Sequence, residues 1–384
     1  MAEQKTLVIP LVKRIDALNA DQVLQQLSSA IIPGQYDEVI LDADQLTYIS
    51  SAGLRTLLSV KKKLMPNLKL VNASREVYDI FEVTGFSQLL DIQKKMREVS
   101  VEGCEVIGRG YCGTVYRIDP ETIIKVYHDS SVTTLTDIEN EKNMAKIALV
   151  HGIPTAISYD IVKVGDCYGS IFELLNAVTF NDLVIKEPER VDEITRQYVD
   201  FLKVIHNTEI DDPLLTSAKK KFLEYLDFLT PYVEAPLLGR LREFLETVED
   251  SHHVVHGDPQ MKNIMLVDGE PMLIDMDTLC VGDPLFDLQA IYVTYVAYGE
   301  DEPGNSMSFL GIPSETATHI WEKILEFTLE GLSEKEKETT IAKIQTLAYI
   351  RFLYLITSST PVTSELSQLR ILHATEKLRT LMKV

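Results

Sequence analysis

Three separate runs of this 384-residue sequence hold the residue types that phosphate chemistry requires. The first, Gly108-Arg109-Gly110-Tyr111-Cys112-Gly113-Thr114-Val115, has the spacing G-x-G-x-x-G-x-V. It stands between two strand-like runs rather than between a strand and a helix. That context argues against a dinucleotide fold and for a glycine-rich hairpin lying over a phosphate chain. Glycine serves there because a Cβ would hold the backbone amides away from phosphate oxygens. The second, TIIKVYH, sets Lys125 within an apolar strand, ten residues beyond Val115. A lysine so placed can reach phosphates if an anion holds it, and the following helix offers Glu141, with Glu139 as the alternative.

The third run is VVHGDPQMKNIMLVDGEPMLIDMDT. It gives H-x-D, four intervening residues, Asn263, a turn and an apolar strand ending at Asp275. Taking Asp268-Gly269-Glu270 as the turn makes Ile264–Val267 and 271–274 a hairpin, with Ile264 opposite Ile274. Asn263 and Asp275 then lie side by side, with Asp258 in the loop entering the same end. Two acids and an amide oxygen would converge where they could hold Mg²⁺ and accept a proton, oxygen being what a hard cation prefers.

The elements that must position these groups divide the chain. Residues 1–98 alternate strand and helix: an extended run over 5–14, a helix over 21–32, a strand over 36–42, a helix over 52–64, a strand over 68–72 and a helix over 75–83. This is the pattern of a compact α/β domain. The charged stretch 93–98 reads as a linker. From Val101 the pattern changes to antiparallel strands (EVIGRG, TVYRI, TIIKVYH), a helix over 136–150, and strand-like runs ISYDIVKVG and YGSIFELL. Beyond Asn181 the chain reads as helical apart from one hairpin near 254–275, with amphipathic helices at 191–207, 215–230 and 236–249 and an apolar run at 340–357.

Charge and composition exclude several classes. The 12 Lys plus Arg and 12 Asp plus Glu of residues 1–98 cancel, so the whole net charge of −21 lies beyond them. That sign repels nucleic-acid backbones and would match a cationic small substrate. No apolar run reaches the length of a membrane span, and no signal-peptide pattern opens the chain. The four cysteines (Cys104, Cys112, Cys167, Cys280) lack metal-ligand spacing. Reduced thiols in the cytoplasm are expected.

With these motifs in kinase order, residues 101–384 resemble the aminoglycoside phosphotransferase and choline-kinase branch of the protein-kinase-like fold. The resemblance implies a bilobal α+β domain, with an N-lobe over 101–180 and a helical C-lobe over 181–384. It implies that Asp258 positions and deprotonates an acceptor hydroxyl, and that Asn263 and Asp275 coordinate Mg²⁺. Lys125, held by Glu141, would grip the phosphates of ATP beneath the loop of Gly108, Gly110 and Gly113. Glu173 and Leu175 would flank the backbone hinge that meets adenine. His256 would orient the catalytic loop, and Asp283 and Asp287 would be structural. HGD stands where protein kinases have HRD, and DMDT where they have DFG, with no long activation segment after it. A small-molecule acceptor is therefore favoured over a protein.

LDADQLTYISSAGLRTLLSVKKKL and KLVNASREVYDIFEVTGF resemble the STAS domain of anti-sigma factor antagonists, over residues 1–98. That likeness implies a protein partner and puts Ser51 at the position a partner kinase phosphorylates, although Ser50 and Ser51 could equally cap the helix that follows. Three functions compete: a small-molecule kinase regulated by a STAS domain, a kinase that phosphorylates Ser51 of its own or another copy, and a binding module without turnover.

Overall fold

The computed structural model describes residues 5–110, 112–129, 133–358 and 362–383. Its contacts divide into two compact units, residues 1–100 with 161–166, and residues 101–160 with 167–384.

The first unit is built on four parallel strands in the order Thr6–Pro10, Glu38–Asp42, Leu68–Ala73, Asp91–Lys94. Parallel neighbours need crossovers, and the helices Ala20–Ala30, Ser51–Lys63 and Arg75–Val83 supply them. Val39, Leu41, Leu68 and Leu70 are buried together with Leu57, Val60, Val77 and Phe81. The expected linker over 93–98 begins inside a strand. Lys94 closes the edge strand, and the Lys95 N–H still donates to the Ala73 carbonyl at 2.8 Å. Its charged residues misled the reading, yet charge is what a sheet edge uses to discourage further pairing.

Gly53 is fixed by crowding. A Cβ there would meet Ile49 Cγ1 at 2.7 Å, Ile15 Cγ2 at 2.8 Å and the Ile15 carbonyl at 2.9 Å. Gly53→Ala is expected to cost this unit about 1–3 kcal/mol through overpacking. Amide hydrogen exchange at Leu57 and Val60 in the full chain would report it, and unchanged protection would count against the prediction.

In the second unit the strands Cys167–Glu173, Thr122–Tyr127, Gly113–Asp119 and Glu105–Arg109 form an antiparallel ladder in that order. The helix Leu135–Val150 follows the lysine strand, opened by a capping box between Thr134 and Asp137. The remainder is mostly helical. Its centre is the short helix Leu285–Tyr292, all eight residues of which are buried, including Asp287 and Gln289. Around it lie Val191–His206, Ala218–Phe228, Ser314–Thr328 and Glu334–Ser358, which share one core cluster with it.

Two short pieces of sheet add to the single hairpin expected in this region. Ala177–Thr179 pairs with Ile264–Val267 as a third strand, and Val254–Val255 pairs with Cys280–Val281. Strands of two or three residues are too short to show a period in sequence.

Candidate active site

The glycine hairpin joins Glu105–Arg109 to Gly113–Asp119, with the Gly110 N–H donating to the Gly113 carbonyl at 2.9 Å. Tyr111 lies outside the described residues. Gly108 and Gly110 have ordinary space around them, but a Cβ on Gly113 would come within 2.6 Å of the Val126 carbonyl. The last glycine is thus required by the close approach of the lysine strand.

Lys125 bridges two carboxylates, Glu141 at 3.3 Å and Asp275 at 2.7 Å. Glu139 is exposed. Glu141 is itself fixed by the Tyr127 hydroxyl, which donates to it at 2.9 Å and meets Ser170 at 3.2 Å. Burial alone would press the Lys125 ammonium down, but Glu141 and Asp275 outweigh it and hold the group above the ordinary lysine range. The cation is therefore permanent and locked to the end of the hairpin.

That hairpin differs from expectation in register. Ile264 pairs with Leu273, and Val267 with Glu270. The turn is the two residues Asp268-Gly269, both with positive φ (52° and 88°), as a type I′ Asp-Gly turn requires. Glu270 belongs to the strand, so every partner moves by one residue. The Ile274 N–H now donates to the Asn263 carbonyl at 3.0 Å. Asp275 adopts a left-handed conformation, φ 63°, where the chain leaves the strand. A non-glycine residue held there marks a site of local strain.

Asn263 and Asp258 are in contact. The Asn263 amide donates to the Asp258 carbonyl at 2.9 Å and to its Oδ2 at 3.2 Å, leaving the Asn263 Oδ1 as an acceptor. Gln260 Nε2 adds a third hydrogen bond, to Asp258 Oδ2, at 2.9 Å. Asp258 and Asp275 side chains remain 28% and 42% exposed, so both are open to a ligand.

The loop carrying Asp258 is braced from many sides. The buried Asp287 accepts from the backbone N–H of His256 at 3.1 Å and of Gly257 at 2.7 Å, and from His206 Nε2 at 2.8 Å. Burial would push its carboxyl up, yet the His206 hydrogen bond and charge, with His256 and Gly257, hold it below the usual carboxylate range. The Asp258 N–H donates to His256 Nδ1 at 3.3 Å, so Nε2 carries the ring proton toward the Ile274 carbonyl at 3.1 Å. Thr278 Oγ1 donates to the His256 carbonyl at 2.7 Å. Tyr198 donates to the Pro259 carbonyl, and Arg351 to the Gly257 carbonyl. Gly257 has φ 86°, and a Cβ there would stand 2.7 Å from the Thr278 carbonyl.

Glu173 is exposed at the end of its strand, and Leu174 gives its N–H to the Glu121 carbonyl at 2.7 Å. Ser51 belongs to the other unit. It is the exposed first residue of Ser51–Lys63, and Ser50 is the cap, accepting from the Ala52 N–H at 3.2 Å.

Sequence reading passed over Asp277, Gln260, Tyr127 and Arg351. Asp277 stands two residues beyond Asp275, where crowding by protein and the charges of Asp275 and Glu141 push its carboxyl up to about 7. The DMDT run contains it, and a second acid two residues after Asp275 was the available signal. Arg351, whose Nη2 lies 3.8 Å from Asp258 Oδ1, comes from a helix 93 positions away, and its charge within the apolar run 340–357 was the available signal.

A lysine bridged to a strand-end aspartate, beside a loop aspartate bonded to an asparagine, is the arrangement that the resemblance to phosphotransferases of protein-kinase-like fold implies. Residues 103–306 match the family model "Phosphotransferase enzyme family", and residues 2–99 match "STAS domain". The chain belongs to the phosphotransferase enzyme family and carries a STAS domain. It is 35% identical, over 81 residues, to BtrV of Bordetella bronchiseptica, whose name places it among anti-sigma factor antagonists. That match spans 20% of this chain and 69% of the relative. Similar solved structures include the aminoglycoside phosphotransferase APH(2'')-Ib with ADP, at 16% identity and TM-score 0.46, over 79% of this chain and 98% of that one. A choline/ethanolamine kinase family protein from Mesorhizobium loti gives 13% identity and TM-score 0.45, over 73% and 88%.

Proposed function

We propose that the chain transfers the γ-phosphoryl group of ATP to a hydroxyl of a small molecule, with Mg²⁺, under regulation by its STAS domain. The observation that carries this reading is Lys125, held by Glu141 and only 2.7 Å from Asp275. Phosphoryl transfer needs little beyond positioning and charge neutralisation, and these residues offer both. Lys125 grips the phosphate chain beneath Gly108, Gly110 and Gly113. Because Leu174 has spent its N–H on Glu121, adenine meets the backbone at Glu173 and Leu175 instead.

Asp258 orients the acceptor hydroxyl and takes its proton. The acceptor oxygen bonds to the γ-phosphorus as the bridge to the β-phosphate breaks and ADP departs. Asp275 and the Asn263 Oδ1 would hold Mg²⁺, and two protein oxygens suit an ion that keeps its water and phosphate ligands. When bound, the ion neutralises phosphate charge.

Titration of the full chain with ATP and Mg²⁺ tests the reading. Lys125→Met is expected to weaken binding by at least about tenfold, the effect of removing one buried charged contact. Failure of the unaltered protein to bind the nucleotide would remove the proposal. It would also leave the binding-module reading without a ligand.

A second reading rests on Ser51, which is exposed on the first turn of its helix, where the dipole tolerates a phosphate. Incubation with ATP and Mg²⁺ would then add one phosphate to residues 1–98, and Asp258→Ala would abolish it. The four cysteines are free, in keeping with a cytoplasmic protein, and no described helix is long and apolar enough to cross a membrane.

A further inference from the structure

Beside Asp258 the second unit contains a cavity of about 50 Å³, room for roughly three or four waters. Helix Ala218–Phe228 turns one face to it, through Lys221 and Tyr225. The catalytic loop contributes Gly257, the segment after the hairpin Thr278, the central helix Gln289, and helix Glu334–Ser358 Arg351. None of the residues that line it is acidic.

Both cations have donors to spare. Lys221 gives one N–H to the Thr278 carbonyl at 3.2 Å, and among the described residues no carboxylate pairs with it. Arg351 donates to the Gly257 carbonyl and lies 3.8 Å from Asp258 Oδ1, which leaves most of its five N–H groups unspent. Gln289 is 1% exposed, and its Oε1 has no partner among the described residues. The other ionisable groups there stay neutral. Burial pushes the Cys280 thiol up to about 11 and raises the Tyr225 hydroxyl. Asp287, the nearest buried acid, is occupied by His206, His256 and Gly257.

We propose that the hydroxyl acceptor carries a carboxylate or phosphate group, which Lys221 and Arg351 hold in this cavity while its hydroxyl faces Asp258. The proposal rests on the phosphotransferase reading and names the charge class of its substrate. It reverses the cationic acceptor expected from the net charge of −21. Surface acids more than about 8 Å away are largely screened at physiological salt, so the two cations within the cavity decide. Gln289 Oε1 is placed to accept a second hydroxyl or a water carried in with the anion.

The test uses the full chain in two arms. First, inorganic phosphate is titrated without nucleotide or Mg²⁺ into the unaltered protein, Lys221→Met, Lys221→Arg and Lys125→Met. The expected result is at least tenfold weaker binding in Lys221→Met, recovery in Lys221→Arg, and little change in Lys125→Met. Binding unaltered by Lys221→Met, lost only in Lys125→Met, or undetectable in the unaltered protein would overturn the proposal. Second, ADP release is compared with glycerol 3-phosphate, glycerate, glycerol and choline as acceptors. An anionic acceptor is expected to exceed glycerol at least tenfold in kcat/KM, and Lys221→Met to raise its KM. Choline ranking above both anions would overturn the proposal. Loss of ATP binding alone, with phosphate still bound through Lys221, would instead count against the phosphotransferase reading.

Discussion

Asp258→Asn is expected to lower phosphoryl transfer by about 10²–10⁴-fold, the range a positioned general base contributes. The side chain keeps its shape, and Asn263 keeps its hydrogen bond to the main-chain carbonyl of residue 258, so the loop should stay in place. What disappears is the proton acceptor, together with the negative charge that Arg351 faces at 3.8 Å. Nucleotide binding should change by less than about threefold, because Lys125, Glu141 and Asp275 are untouched. Single-turnover rates with saturating ATP separate the two effects. A variant retaining more than a tenth of the unaltered rate would show that proton removal is not what Asp258 does.

Asp287→Ala is the substitution expected to damage stability most, by about 3–5 kcal/mol. Three donors converge on this buried carboxylate, and alanine would leave all three without an acceptor. Equilibrium denaturation of the full chain would show the second unit unfolding earlier, with activity lost in parallel because the loop carrying Asp258 is no longer held. A loss below about 1 kcal/mol would mean that the other braces suffice. The pH dependence has a defined sign. The folded-state pKa of Asp287 lies below its ordinary 3.8, so its stabilisation is present above about pH 4 and is lost as pH falls through the depressed value. Asp287→Asn should flatten that part of the acid-unfolding curve.

The sequence made some of these groups legible and hid others, for reasons that can be traced. The glycine hairpin, the lysine strand and the H-x-D run were readable because the chemistry of each lies in one short, continuous piece of chain. Helix positions in the first unit followed from apolar periodicity, which survives without knowledge of the partner element. The hairpin register was misjudged by one residue because Asp-Gly can close a turn by itself, and Glu270 looked like loop only from its charge. Lys221, Gln289 and Arg351 escaped notice altogether. Lys221 lies on an amphipathic helix where a polar residue is the norm, Gln289 and Arg351 interrupt apolar helical runs, and only tertiary packing brings the three to one cavity. Overall acidity is a coarser guide for the same reason, since net charge averages a surface while a binding cavity samples a few side chains.

The brace from Arg351 to the Gly257 carbonyl has a consequence for how the protein is made. Domains generally fold as units from the N-terminus during synthesis. The STAS domain can therefore fold first, while the loop carrying Asp258 still waits for a guanidinium that lies 94 positions beyond Gly257. A nascent chain would already display a folded STAS domain while the loop carrying Asp258 still lacked this brace. Translation itself sets an order in which the first domain can be complete before the second is braced.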